Sequence, residues 1–348
     1  MHIRFTLKDL LDAHRLGSHG ILGELADAAG LHRHTVARIH GNRTRTVSID
    51  VLEQLCDVLI AKGIPGDELP AGLFGRSALW DHVTHFAKAV TVYVAERTTE
   101  ESAHSPASHT LSSDDVEVST ALFTHLSRVR APAELRTCKV PFHVQNESHT
   151  RAGEDIEEAH RVFRTIEQSS DSQAHVIIGS QRSNLLLEVF LADLYGAIPF
   201  DSRSPVRTPF YLLFEEKSGL MLESCCAGVK VPGQTASSPK TNDKAAGIWY
   251  YAPEGWCHVP ADRHPGMVVV RQHAHSGRVE IAIFGYSGRG TRLVGEAFFA
   301  DPERFWKNSR ERGHDGTRLA TTLCEFAQSS TDPGEWKLEW TRALPPLV

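Results

Sequence analysis

The chain has no apolar run near the ~20 residues that a bilayer-spanning helix needs. Its opening segment Met1-His-Ile-Arg-Phe-Thr-Leu-Lys8 also lacks the apolar core of a secretory signal. These absences predict a cytoplasmic protein without membrane contact. Its six cysteines include no Cys-x-x-Cys pair, which removes the common zinc frameworks. Adjacent Cys225 and Cys226 are expected to act as small apolar residues in reducing surroundings. The 20 histidines include His32-Arg-His34 and His273-Ala-His275, yet no third ligand stands at a useful spacing, so no metal is expected. Neither Gly-x-x-x-x-Gly-Lys-Ser/Thr nor Gly-x-Gly-x-x-Gly occurs, no repeat of fixed period is present, and no cofactor is expected. A formal net charge of -6 confines any polyanion contact to a patch.

One local absence is the most telling. Between Ala28 and Ile49 there are four Arg and no Asp or Glu, whereas residues 1–76 as a whole balance nine basic against nine acidic side chains. Phosphates feel this local charge. Leu25, Ala26 and Ala29 form an apolar helical stripe that closes at Gly30, and a second short helix follows across the turn. In that second helix Val36 and Ile39, three apart, anchor inward. Arg33, His34, Thr35 and Arg38 then face outward, and the early residues of such a helix reach base edges in a major groove.

Three landmarks, Glu24-Leu25-Ala26, Ala29-Gly30-Leu31 and the helix Val47 to Leu59, resemble the Cro/C1-type (XRE-like) helix-turn-helix family over roughly residues 4 to 74. The resemblance implies a compact bundle of about five helices that binds double-stranded DNA, usually as a homodimer. It places Arg33, His34, Thr35 and Arg38 against bases, with Asn42, Arg43 and Arg45 near backbone phosphate. Leu22 stands where the family commonly has Gln on a phosphate, and His32 where it has a Ser or Thr cap. A poorer cap of this kind weakens a helix by about 1 kcal/mol.

The remaining ~270 residues suffice for one large or two small domains. Helical spacing at Leu79, Val83 and Phe86 gives way to the strand-like Ala89-Val-Thr-Val-Tyr-Val-Ala95. The expected organisation is therefore a DNA-binding domain over 1–74, a connecting helix over 75–88 and a second domain over 89–348. Thr98 to Ser113 and Pro232 to Ala246 are expected to be loops. Helices at Asp114 to Val129 and Gly153 to Gln168 alternate with strands at Thr137 to Val144 and Ala174 to Ile178. Further strands are expected at Pro209 to Phe214, Met267 to Gln272, Glu280 to Phe284 and Trp336 to Trp340, the last half-exposed at an edge. This alternation predicts an α/β domain, Rossmann-like, with a mainly parallel sheet.

Two strand-to-helix junctions share one chemistry. Gly179, Ser180, Arg182, Ser183 and Asn184 follow the strand ending at Ile178, and Ser287, Gly288, Arg289 and Thr291 follow the one ending at Phe284. Each sets a glycine, hydroxyls and an Arg where a helix N-terminus attracts anions. Open α/β sheets bind ligands at this position, so a small phosphorylated or nucleotide-like effector is the expected partner. The expected function is a DNA-binding transcription regulator whose second domain senses that effector. Two other readings compete: a nucleotide- or N-glycoside-processing enzyme using Glu188, and an antitoxin-like interaction module that does not bind DNA. The pairs Asp114-Asp115 and Glu215-Glu216 are expected to be solvated.

Overall fold

The computed structural model describes residues 5, 7–18, 20–41, 43–44, 47–64, 66, 69, 83, 87–99, 108–128, 133–143, 152–169, 173–203, 206–215, 222–229, 245–273, 276–306, 309–312, 317–329 and 335–345. The chain divides into two compact units, Met1–Asp81 and His82–Val348. Of the expected connecting helix over 75–88, all but Val83, Ala87 and Lys88 lies outside the described residues, as does most of the expected loop Pro232 to Ala246. Among the described residues no helix is long and apolar enough to cross a membrane.

The first unit contains helices α1 (Leu7–Ala13), α2 (Ile21–Ala28), α3 (Arg33–His40) and α4 (Ile49–Ala61). Leu7, Leu11, Leu25, Val36, Ile39, Leu55 and Leu59 are buried together as their common core. Helix α2 ends because Gly30 adopts a left-handed backbone with φ 61°. The Leu31 and Gly30 N–H groups then donate back to the Ala26 and Asp27 carbonyls at 2.8 and 3.3 Å, which closes the helix and redirects the chain into α3. Ser48 Oγ caps α4 by accepting from the Val51 N–H at 3.4 Å.

The second unit is built on a large sheet. Its strands are β1 (Ala89–Thr99), β2 (Ser108–Leu111), β3 (Glu134–His143), β4 (Gln173–Ile178), β9 (Gly266–Gln272), β10 (Val279–Gly285), β11 (Arg310–Arg312), β12 (Thr317–Gln328) and β13 (Trp336–Ala343). They run in the order β11-β12-β9-β10-β4-β1-β2, with β13 also on β12 and β3 also on β1. Strands β3, β1, β4 and β10 are mutually parallel, whereas every other pairing is antiparallel. The sheet is therefore mixed, not mainly parallel as the alternation of elements suggested. The reason is connection length. Only six residues separate Gln272 from Val279, and a link that short closes an antiparallel pair, because a parallel crossover needs a dozen residues or more. A second difference is β2, which lies inside the expected Thr98 to Ser113 loop and pairs with the end of β1.

A smaller sheet, β6-β5-β7-β8, is inserted between β4 and β9. It comprises β5 (Phe210–Leu213), β6 (Ala227–Gly228), β7 (Gly247–Ala252) and β8 (Gly255–Pro260). Helices α5 (Ser113–Arg128) and α8 (Gly288–Ala300) pack together, as do α6 (Ala152–Glu167) and α7 (Leu185–Tyr195); α9 (Pro302–Trp306) follows α8. Every residue of α7 except Asp193 is buried. It has no polar face because its core cluster takes in α6, both sheets and Phe284, and a helix covered on all sides must be apolar throughout. Central strands β4 and β10 are likewise buried along nearly their whole length. Edge strand β13 alternates half-buried Trp336, Leu338 and Trp340 with exposed Lys337 and Glu339, as expected.

These crossovers create one topological switch. From β1 the chain passes through α5 to β3 on one side, and from β4 it passes into α7 on the opposite face. Beyond the carboxyl ends of β1 and β4 the chain therefore diverges, the arrangement at which open α/β sheets bind ligands.

Candidate functional site

In the first unit, burial divides α3 sharply. Val36 and Ile39 are 0% exposed, while Arg33, His34 and Arg38 are exposed and Thr35 is partly so. Burying two such side chains stabilises the helix position by roughly 1.5–3 kcal/mol each, which fixes which way the polar residues point. Among the described residues no carboxylate pairs with Arg33, Arg38 or Arg43. The Arg38 guanidinium instead donates to the Arg43 carbonyl at 3.4 Å, tying the helix to the exposed segment that follows. Asn42 and Arg45 lie outside the described residues. The start of α3 is better capped than its sequence suggests. His32 Nδ1 accepts from the His34 N–H at 3.2 Å, so the imidazole supplies the acceptor that a Ser or Thr hydroxyl would.

Residues 7–62 match the Cro/C1-type HTH DNA-binding domain family. The matched stretch is narrower than residues 4 to 74 and includes all of α1 to α4. Beyond this Cro/C1-type domain the rest of the chain has no family match. No curated protein and no solved structure matches the chain.

In the second unit the two glycine-bearing loops are neighbours, because β4 and β10 pair in parallel up to Ile178 and Ile283 and the Gly179 N–H donates to the Ile283 carbonyl at 3.2 Å. Gly179 has φ 138°, and a Cβ there would lie 3.2 Å from Asn184 Cβ and 3.3 Å from Asp115 Oδ2. Only glycine fits that turn without strain. Asn184 caps α7 by accepting from the Leu186 N–H at 3.2 Å, and its amide donates to the Ile178 carbonyl at 2.8 Å. Ser180 and Ser183 hydroxyls meet at 3.1 Å. Arg182 lies over the Phe214 ring at 5.1 Å, and Phe214 stacks on Tyr286 at 4.7 Å.

The second loop is engaged from within. Ser287 Oγ caps α8 by accepting from the Gly290 N–H at 3.2 Å, and Thr291 Oγ1 donates to the Ser287 carbonyl at 3.2 Å. A Cβ at Gly288 would meet Asp114 Oδ2, so the chain's own carboxylate lies at the positive end of α8, where a helix N-terminus favours an anion. Arg289 is exposed. Residues expected to be solvated are thus central: Asp114 sits against the α8 loop, and Asp115, 2% exposed, sits against Gly179. Burial pushes the Asp115 carboxyl up to about 6, with Asp114 adding to the shift and Arg97 opposing it. Burial also lowers the Arg182 pKa, and Arg97 pushes the same way. A signal for this was present in the sequence, since two acids open the helix that follows β1.

Glu188, the side chain of the competing enzyme reading, is 1% exposed and already occupied. It accepts from the Phe200 N–H at 3.0 Å, the Cys225 N–H at 2.7 Å, Ser224 Oγ at 2.7 Å and the Gln181 amide. Cys225 and Cys226 bring their sulfurs into the same cluster, with ligand-type atoms mutually within 4.8 Å, a juxtaposition the sequence spacing did not announce. Hydrogen bonding to Cys226 and burial push the Cys225 thiol up, and burial does the same for Cys226. Glu188 is a staple that ties α7 to the segments holding Phe200 and Cys225, and it lines a small cavity with Gln181, Arg182 and Ser224.

Proposed function

We propose that this protein is a DNA-binding transcription regulator whose second unit holds a small anionic effector. The DNA-binding half rests on one observation: α3 buries Val36 and Ile39 completely while presenting Arg33, His34 and Arg38 to solvent with no carboxylate partner among the described residues. Guanidiniums without a carboxylate partner on an exposed helix are suited to phosphate and base contacts. In this reading Arg33, His34, Thr35 and Arg38 face bases, and Asn42, Arg43 and Arg45 face phosphate, in the cytoplasm and from a homodimer on a palindromic site.

The effector half is supported by a Rossmann-like element, the parallel strands β3, β1, β4 and β10 with helices on both faces, and by the divergence of its crossovers beyond β1 and β4. Gly179, Ser180, Arg182, Ser183 and Asn184 form one wall, and Ser287, Gly288, Arg289 and Thr291 the next. A phosphorylated or nucleotide-like molecule is the proposed occupant, and its binding shifts the population of DNA-competent chains.

The test is selection of a duplex from a random pool by the full chain, followed by titration against salt. Affinity is expected to fall linearly in log–log form, and Arg33→Ala with Arg38→Ala is expected to weaken it by roughly 30-fold or more. Undiminished binding by that double variant would overturn the assignment.

A further inference from the structure

Gln181, in the turn between β4 and α7, is 5% exposed. Its amide donates to Glu188 and, at 3.5 Å, to Ser224 Oγ, but its oxygen Oε1 is buried and meets no donor among the described residues. A buried acceptor left without a partner is destabilising. Gln181, Glu188 and Ser224 line a cavity of about 10 Å³, a size that admits a single water or ion and excludes an organic molecule. Two sulfurs border the same carboxylate. The ligand atoms of Glu188, Cys225 and Cys226 all lie within 4.8 Å of one another, and all three residues are buried.

The two oxygens of Glu188 are held differently. Oε1 accepts from the backbone N–H groups of Phe200 and Cys225, which fix the carboxylate in place as the outer partners of a metal ligand do. Oε2 accepts only from side chains, Ser224 and Gln181, and faces Cys226 Sγ at 3.9 Å. Tetrahedral zinc, with bonds of about 2.3 Å to sulfur and about 2.0 Å to oxygen, separates such a pair by about 3.5 Å. A half-turn of the Gln181 amide exchanges its NH2 for Oε1, so the unpartnered oxygen then meets a cation beside Oε2.

We propose, independently of the effector reading, that Cys225, Cys226, Glu188 and Gln181 hold a divalent cation of the zinc class. Two sulfurs and two oxygens complete a tetrahedral set, and the sulfurs select zinc over magnesium or calcium. The cation replaces the two thiol protons, which pass to solvent. Its charge offsets two thiolates and a carboxylate but for one negative charge, beside Arg182 on the same cavity wall.

The experiment is titration of the full chain, reduced and stripped of metal by a chelator, with Co²⁺ and then Zn²⁺. Co²⁺ is expected to produce thiolate-to-metal charge-transfer absorption and tetrahedral d–d bands at a single equivalent, and Zn²⁺ to abolish both. Surface histidines give no thiolate band. Cys225→Ser and Cys226→Ser should each lose that band and weaken Zn²⁺ by about a hundred-fold or more, because even the outer partners of a metal site are worth about 10–100-fold. Gln181→Ala should keep the band and weaken Zn²⁺ by about ten-fold, and equal binding there would overturn the role of Gln181. Cys257→Ser, on β8 and outside the cluster, should change nothing. Zn²⁺ should also raise the urea midpoint of the unaltered chain, since Glu188 meets the cysteines only when folded. No thiolate band in the unaltered chain, or a band that survives in both cysteine variants, would overturn the site and leave the effector reading as it stands.

Discussion

Asp115 should make the second unit less stable as pH rises, and Asp115→Asn measures by how much. The folded chain holds this proton more tightly than the unfolded one, with the carboxyl moved from 3.8 to about 6. Its contribution is therefore fully favourable below about 3.8 and is lost as pH rises through 6. At about 1.4 kcal/mol per pH unit, the interval amounts to about 3 kcal/mol at pH 8. Asparagine removes the charge yet buries an amide with no partner, which costs about 1–3 kcal/mol at any pH. The two effects nearly cancel at pH 8, so the informative quantity is the change in the gap between the two proteins. Relative to the unaltered chain, Asp115→Asn should gain about 2–3 kcal/mol between pH 4 and pH 8. Urea unfolding followed by tryptophan emission reads this unit, because Trp249, Trp256, Trp306, Trp336 and Trp340 all lie in it and only Trp80 lies elsewhere. A gap that stays constant with pH, or moves the other way, would refute the claim that burial holds the proton on this carboxyl.

Two other perturbations test the scaffold. Glu280 is held down to about 2 by His273 and Arg271 against the opposing effect of burial, so its stabilisation is present above 4.5 and fades as pH falls toward 2. Glu280→Gln leaves Arg271 on Asp193 at 2.6 Å and Arg278 on the Glu167 carbonyl at 2.6 Å, and loss of the charged partner should destabilise the unit by about 1.5–3 kcal/mol at pH 7, with a smaller loss at pH 3 in the same urea assay. In the first unit, His32→Ala removes the acceptor at the start of α3 and should weaken that turn by about 1 kcal/mol. Hydrogen exchange at the His34 amide would then accelerate by about five-fold, and His32→Ser should restore protection.

The helix-turn-helix was legible because its signals are local: an apolar stripe, a glycine after α2, and a basic helix with two inward residues. The cap was misjudged because an imidazole nitrogen rarely takes the place of a hydroxyl, and its reach to the His34 N–H depends on a ring orientation that sequence does not carry. Most strands of the second unit were also visible as β-branched runs. Their directions were not, since alternation of helices and strands was given more weight than the six residues between β9 and β10. β2 was hidden by its composition, Ser-His-Thr-Leu, all four exposed and paired with the end of β1. The glycine-bearing turns after β4 and β10 were legible as turns, whereas the placement of Asp114 and Asp115 against them was not. Adjacent carboxylates usually face water, and the start of α5 beside the β4 and β10 loops buries Asp115 and leaves Asp114 half-exposed.

Glu188 has a further consequence for how this architecture can vary. By drawing Phe200 and Cys225 onto the first turn of α7, one side chain fastens the small-sheet excursion at two separate points along its length. The excursion is in effect a cassette with a polar socket at Glu188 and an apolar seat, where Phe210, Leu212 and Ile248 join the shared core. Its length and surface can diverge between related chains while the parallel strands beneath keep their register, provided the socket is conserved. Loss of the socket would loosen the cassette at those two points while the apolar seat stays filled.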